Sequence, residues 1–355
     1  MKSVDVLVVY NEPSLPCDHP DWASEAGVLE SVEAVSTALT ARGHRVRTRG
    51  FGCLEDLVDA LPNLETGDVV FNLFEGFGGI GQGEAEVAGT LELGCVGMTG
   101  SPAQCLALVR DKARTKWLLA GAGIPTAPFA LVSAAGVSDD RELRQLLDGG
   151  PVIVKPAHED ASLGIGPENV VSEFSALLQQ IESVRLRYGA VLAERFIAGR
   201  EFNAAVIAVP DPHLLPLAEI EFADDRPAAA RVVTYEAKWS TDSADDRATP
   251  ACCPARVPPD VAVRVGEIAL AAFERTGCRD YARIDLRMDE AGDVFVLEVN
   301  ANPDIGPHAG FRRALAAEGI AFDDFLDRMV RTATARRIYA STPTRAYGGY
   351  RSTRR

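Results

Sequence analysis

YARIDLRMDEAGDVFVLEVNANPDIGPHAGF, residues 281–311, is the stretch that decides the fold. Residues 282–288 alternate apolar and polar side chains, residues 289–293 are turn chemistry, and residues 294–299 form an apolar run. The stretch therefore reads as two strands around a turn. Side chains two residues apart on a strand share a face, which sets Arg283 beside Asp285 and Glu298 beside Asn300. If the strands pair, a guanidinium, two carboxylates and the amides of Asn300 and Asn302 converge. Oxygen ligands of this kind suit Mg²⁺ in the company of nucleotide phosphates. The competing reading is an amphipathic edge hairpin with a solvated charged face. Against it, Glu298-Val299-Asn300 breaks the apolar strand where a loop of Asn, Pro, Asp and Gly begins, and strand ends feeding such loops are where sites are built.

A chain of 355 residues is long enough for two or three domains with their own cores. Its 47% hydrophobic and 25% charged content is that of an ordinary soluble globular protein. No run of 18 uncharged apolar residues occurs. The start, MKSVDVLVVY, reads as a strand and not as a signal peptide, so a cytoplasmic protein without a membrane partner is expected. Seven cysteines show no CxxC or Cys/His spacing and fit scattered reduced thiols. A net charge of −15 argues against nucleic acid. Residues 331–355 carry seven arginines and no acids, leaving about −22 on the rest. This tail is either a solvated terminus or a contact for an acidic partner, the acidic body included.

Residues 4–10 form an apolar strand, followed by a polar loop to residue 24. A helical period then runs over 25–41 and stops at Gly43. Strands at 45–49 and 68–73 flank a helix at 54–61. This alternation predicts a doubly wound parallel sheet with ligands at the carboxyl ends of its strands, at Asn11-Glu12 and Phe74-Glu75-Gly76. Residues 77–83 are glycine-rich but lack both the GxGxxG and GxxxxGK[ST] spacings, a weak phosphate signal. A helix over 84–93, a strand over 95–99 and one helix over 102–122, containing Asp111-Lys112, follow. Lys155 ends an apolar strand beside Pro156, a poor place for a solvated lysine and a natural one for a phosphate contact. The small-residue loop 158–166, which includes Ser162, is suited to lie over phosphates with its N–H groups. Residues 173–188 form a helix, 191–202 a strand entering a turn, and 202–209 with 214–221 antiparallel strands. Residues 242–250 read as a mobile lid. The last clear helix runs over 261–276, with Asp260 as N-cap and Gly277 as its stop.

RIDLRMD followed by VLEVNANPDIGPHAGF resembles the metal-binding core of ATP-grasp ligases, in particular the D-alanine–D-alanine ligase family, and the resemblance extends over about residues 1–330. Asp111-Lys112, VIVKP at 152–156, ERF at 194–196 and YEAK at 235–238 match the family in the same order. The fold so implied is an α/β ATP-grasp fold. It has a Rossmann-like parallel-sheet domain over 1–104, a central α+β lid domain over 105–195, and a C-terminal α+β domain with an antiparallel sheet over 196–335, before a basic tail at 336–355.

The resemblance implies ATP and two Mg²⁺ ions, with Mn²⁺ as substitute, on Asp285, Glu298 and Asn300. It aims Lys112, Lys155 and Lys238 at phosphates, and makes Glu194, Phe196, Ile197 and Glu201 the candidates for a hinge that holds adenine by main-chain contacts and ribose by an acid. A carboxylate is phosphorylated by ATP and an amine attacks the acyl phosphate, with Arg283 and the N–H groups of Ile305-Gly306 stabilising the tetrahedral step. The substrate positions depart from the family. Ala161-Ser162-Leu163-Gly164 replaces a Ser-Ser-Val-Gly loop, Trp239 a tyrosine, Glu75 a histidine, Asn302-Pro303-Asp304-Ile305 a Ser-Pro-Gly-Met loop, and Ala309 a serine. Glu25 is the remaining match for an N-terminal acid. Glu75 and Asp304 add negative charge where the family binds a carboxylate, which favours an amine or guanidinium there unless Arg312, Arg313 or another protein cation neutralises them. The expectation is an amide-forming ligase acting on a small carboxylate and a small amine other than two D-alanines. A genuine D-alanine–D-alanine ligase and a non-catalytic ATP-binding protein are the alternatives, and a homodimer is left open.

Overall fold

The computed structural model describes residues 3–340 except 20–21, 61–66, 79–80, 82, 94–96, 161, 224–226, 228–229 and 240–242. Among these residues the chain forms three sheets. The first is parallel, in the order β2-β1-β3-β4, from β1 (Asp5–Asn11), β2 (Arg45–Phe51), β3 (Val69–Leu73) and β4 (Gly97–Met98). Val6 to Val9 are all buried, because both faces of β1 are covered, and this is why the strand reads as an unbroken apolar run.

The period expected over 25–41 is divided between α1 (Trp22–Ala26) and α2 (Val28–Ala41), with Gly27, a poor helix former, at the joint. α3 (Leu54–Ala60) and α4 (Glu84–Leu93) follow. The single helix expected over 102–122 is also two, α5 (Ala103–Arg110) and α6 (Lys112–Gly121). Asp111 breaks it with an extended backbone (ψ 95°) and caps α6 by accepting from the Arg114 N–H. Asp competes well for exposed helix-start N–H groups, so the cap wins over continuity. The break puts Lys112 in the first turn of a new helix.

The second sheet is antiparallel, in the order β5-β8-β6-β7, from β5 (Phe129–Val132), β6 (Val152–Pro156), β7 (Val170–Val171) and β8 (Val191–Arg195). It packs on α7 (Arg141–Asp148) and α8 (Phe174–Tyr188) around its own core of Leu143, Leu146, Val154, Leu177 and Ile181.

The third sheet is built on β9 (Arg200–Ala208). β10 (Pro212–Leu214) and β11 (Ala218–Ile220) pair with one edge of β9, β12 (Ala251–Cys252) with β11, and β13 (Asp280–Met288) with the other edge of β9. β14 (Val294–Asn300) pairs with β13. The strand expected over 214–221 is therefore two short ones. α9 (Tyr235–Trp239) precedes the segment 242–250 expected to be a mobile lid, and α10 (Ala244–Arg247), capped by the Ser243 side chain, lies within it. α11 (Pro259–Thr276) has Pro258 and not Asp260 at its N-cap, because Pro259 is pre-set for the first helical position; Gly277 stops it in the left-handed region (φ 77°). α12 (Gly310–Ala317) and α13 (Phe322–Ala340) complete the chain.

Leu7 and Val9 of the first sheet share a core with Phe202, Ile284 and Val296 of the third. Val6 and Val8 share another with Tyr281, Phe311 and Phe325. The first and third sheets are thus one packed block, and the second sheet, with its separate core, faces it across a cleft. Among the described residues no helix is long and apolar enough to cross a membrane.

Candidate active site

The β13–β14 register pairs Arg283 with Asn300 and Asp285 with Glu298, so the four polar side chains meet as the two-residue period requires. Arg283 donates from Nε and Nη2 to the two oxygens of Asp285, at 2.7 and 2.8 Å. Asn203, opposite Asp285 on β9, donates to the same carboxylate at 2.8 Å, and Asn300 donates at 3.1 Å. Asp285 is therefore fully engaged. Glu298 is different: among the described residues no hydrogen bond reaches its carboxylate, and Lys112 Nζ lies 3.7 Å away. Burial alone would favour the neutral acid, but Lys112, Lys238, Lys155 and Arg283 together hold the Glu298 pKa down to about 2.

An ionised carboxylate with open lone pairs, beside Asp285 and the Asn300 amide, is a fitting donor set for Mg²⁺. Oxygen ligands are what that ion takes, and so few of them leave positions for water and phosphate. No group of three or more His, Cys, Asp or Glu suited to hold a metal occurs among the described residues. An ion here would be completed by a nucleotide and not by the protein alone.

The surrounding cleft has a volume of about 1130 Å³. Lys112, Lys155 and Lys238 all line it. Lys112 donates to Asp160 at 2.7 Å and to the Glu159 carbonyl, and Lys155 donates to Glu194 at 2.6 Å. Glu194 also accepts from Lys116, and both residues are fully enclosed. The pair of lysines keeps the Glu194 pKa low in spite of burial. Phe196 and Ile197 are buried in the cleft wall. The Ile197 carbonyl and the Glu201 carboxylate both accept from Arg287, at 2.9 and 2.8 Å, and Arg287 lies over the Phe196 ring. Ser162 lines the cleft in a left-handed conformation (φ 61°).

Another part of the cleft lining is acidic. Glu75 follows β3, its N–H bonded to Asn11 Oδ1 at 3.2 Å. Its carboxylate opens to cleft water but sits deep within the protein, and that setting together with Asp304 raises its pKa to about 8. Glu84 of α4 accepts from Asn302 at 3.3 Å; burial, Asp160 and Glu75 raise its pKa to about 8. Asn302 is fixed further by the Tyr281 hydroxyl at 2.8 Å and the Phe74 carbonyl at 3.2 Å. Asp304 accepts from Ser31 at 3.0 Å and from the Gly306 N–H at 2.7 Å. Neither arginine offered as a neutralising partner is in place. Arg312 lies over the Phe322 ring and Arg313 donates to the His308 carbonyl.

Two expectations for catalytic groups meet competing partners. The Gly306 N–H is committed to Asp304 because that side chain folds back onto its own loop. Glu25 is buried in the cleft wall but accepts from the Ser14 N–H and hydroxyl and the Leu15 N–H, at 3.0, 3.1 and 2.8 Å, so it braces the loop after β1. Ala309 lines the cleft as the N-cap of α12. The Trp239 side chain lies outside the described residues. Lys116, Asn203, Glu84 and Arg287 are site residues that the sequence reading missed. Two of them carried a signal: Lys116 lies four residues after Lys112 and so on the same helical face, and Arg287 lies two residues after Asp285 and so on the same strand face.

Residues 118–331 match the family model described as D-ala D-ala ligase C-terminus. The D-alanine–D-alanine ligase B of Chromobacterium violaceum is 36% identical over 307 residues, covering 86% of this chain and 92% of that protein. The D-alanine–D-alanine ligase of Desulforudis audaxviator is 32% identical over 310 residues, covering 87% and 94%. Among solved structures, the D-alanine–D-alanine ligase from Bacillus anthracis complexed with ATP aligns with a TM-score of 0.73 at 20% identity, over 95% of this chain and 99% of that one. The VanG D-Ala:D-Ser ligase from Enterococcus faecalis aligns at 0.70 and 18% identity, over 94% and 100%.

Proposed function

Because the chain belongs to the D-alanine–D-alanine ligase family of ATP-grasp enzymes, we propose that it joins a carboxylate to an amine other than a pair of D-alanines, with a cationic group of one substrate held at the acidic part of the cleft. The observation that carries the substrate reading is the cluster of Glu75, Glu84 and Asp304: among the described residues no cation forms a salt bridge with Glu75 or Asp304, and Arg283 acts on Asp304 only from a longer range. A carboxylate placed there would meet Asp304 and find no cation, whereas an ammonium or guanidinium would draw Glu75 and Glu84 into their ionised forms and be held by them.

The rest of the cleft supports ligation. Lys112, Lys155 and Lys238 are the groups to bind and orient the phosphates of ATP, beside Glu194, Phe196, Ile197 and Glu201 for its nucleoside. Asp285, Glu298 and Asn300 would hold Mg²⁺, which when bound screens the β- and γ-phosphate charge. A substrate carboxylate oxygen then attacks the γ-phosphorus, and the bond to the bridging oxygen breaks, its electron pair leaving with ADP. The amine attacks the acyl carbon, the C–O bond to phosphate breaks, and the amine proton is lost to solvent. Arg283 uses Nε and Nη2 on Asp285, so its Nη1 remains to donate to the oxygen that gains charge in this step.

The test is Mg·ATP-dependent ADP release across a panel of acids and amines, including D-alanine, basic amino acids and diamines. The reading expects the highest kcat/KM with a cationic member, and a loss of about tenfold or more for that member in Glu75→Gln. Highest activity with two D-alanines would overturn it.

A further inference from the structure

Cys105 on α5 and Cys278, in the turn between α11 and β13, bring their Sγ atoms to 3.7 Å, with the Cys105 thiol as donor. Cys105 is buried and Cys278 half-buried, and the Thr276 hydroxyl lies 3.3 Å from the Cys278 sulfur. The two thiols are unlike. The hydrogen bond from Cys105 lowers the Cys278 pKa against the effect of burial, while that same bond and burial raise the Cys105 pKa. One sulfur is readied as a nucleophile and its neighbour keeps the proton, which is the asymmetry that a pair of attacking and resolving thiols needs. The ligase chemistry uses neither.

We propose that Cys105 and Cys278 are a redox modification site, closing to a reversible disulfide that weakens nucleotide binding. With a hydroperoxide as oxidant, the Cys278 thiolate attacks a peroxide oxygen and the O–O bond breaks. With hydrogen peroxide the leaving hydroxide takes up a proton as water, and Cys278 becomes a sulfenic acid. Cys105 gives up its thiol proton and attacks that sulfur. The S–O bond breaks, and hydroxide leaves with the proton as a second water. Two electrons pass from the sulfurs to the peroxide, and a dithiol reductant returns them.

The position explains the consequence. A disulfide holds its sulfurs at about 2.05 Å, so closure draws α5 and the turn at residues 277–279 together. α5 runs through Asp111 directly into Lys112, and the turn runs directly into β13 with Arg283 and Asp285. The junction is already tight: Arg279 donates to the Gly100 carbonyl at 2.7 Å, and the Gly100 N–H donates to Asp280 at 2.8 Å. A shift there is passed on to the spacing between Lys112 and the β13–β14 carboxylates. Misplacements of about 1 Å can cost about a hundredfold.

The experiment treats the full-length protein with hydrogen peroxide under native conditions, maps disulfides by mass spectrometry, and titrates Mg·AMP-PNP by calorimetry before and after dithiothreitol. The expected result is a linked Cys105–Cys278 peptide and a Kd raised about tenfold, both reversed by dithiothreitol. Cys278→Ala should keep the reduced protein's Kd and be insensitive to peroxide. Mapping the wild-type protein needs no variant, so misfolding of Cys278→Ala would not spare the proposal. Absence of the linked peptide overturns it, and so does a linked protein whose Kd is unchanged.

Discussion

Lys116 and Glu194 are both fully enclosed, and charges that deep persist only when paired. Lys155 holds the other Glu194 oxygen, so the three form a chain at the inner wall of the nucleotide cleft. Lys116→Met removes one end and leaves Glu194 with a single cation. The expected cost is about 3 kcal/mol in urea denaturation, the low end for breaking a buried pair because Lys155 remains. Arg283→Met tests a different property. Removing the donor proposed for the developing charge should lower kcat about 10²- to 10³-fold in steady-state assays with the best substrate pair, and should also raise KM for Mg·ATP because Arg283 holds Asp285. At this scale the site was partly legible. Glu298, Asn300, Arg283 and Asp285 announce themselves because polar residues at a two-residue spacing interrupt an apolar strand. Asn203 does not, since its tie to Asp285 depends on which strand becomes the neighbour of β13.

Between β8 and β9 the chain turns from the second sheet into the third, carrying Phe196, Ile197 and Glu201 past the cleft. Gly199 sits in this turn at φ 135°, and a Cβ there would lie 2.2 Å from the Met288 carbonyl oxygen. Both the backbone conformation and the space require glycine. Gly199→Ala should cost about 2 kcal/mol or more, read as a lower thermal midpoint, and should weaken Mg·AMP-PNP binding in the same preparation. The elements themselves were mostly legible, because buried parallel strands and amphipathic helices carry strong periods. The breaks at Gly27 and Asp111 were not. Apolar periodicity continues through both, and a single capping residue or glycine decides where a helix stops.

Across the whole molecule the cleft has two groups of charge. Lys112, Lys155, Lys238 and Arg283 gather around Glu298, and Glu75, Glu84 and Asp304 form a second, acidic group that Arg283 also feels through Asp304. The pKa values of Glu75 and Glu84 set a pH dependence whose sign is definite. In the unfolded chain both titrate near 4.5, and in the folded chain they keep their protons to about 8. Stability from these two groups is therefore greatest below 4.5 and falls as pH rises to 8. Glu298, depressed to about 2, acts the other way and only between 4.5 and 2. A bound cation needs the two acids ionised, so its affinity should rise between about pH 6 and pH 8 and its binding should release protons near neutrality. Calorimetry in buffers of different ionisation enthalpy would read that release, and Glu75→Gln should reduce it. Individually Glu75 and Asp304 were legible as departures from a family pattern. That Glu84 joins them was not, because its place beside Glu75 and Asn302 depends on how α4 packs.

The cleft is proposed to activate a carboxylate as an acyl phosphate at the Asp285–Glu298–Asn300 centre. Hydroxylamine trapping with Mg·ATP tests it most directly, run on wild type and Glu298→Gln across a panel of acids. A hydroxamate and equimolar ADP are expected with a particular acid in wild type, with a loss of at least about a hundredfold in Glu298→Gln. ATP binding without hydroxamate for any acid, or equal hydroxamate in Glu298→Gln, would contradict it.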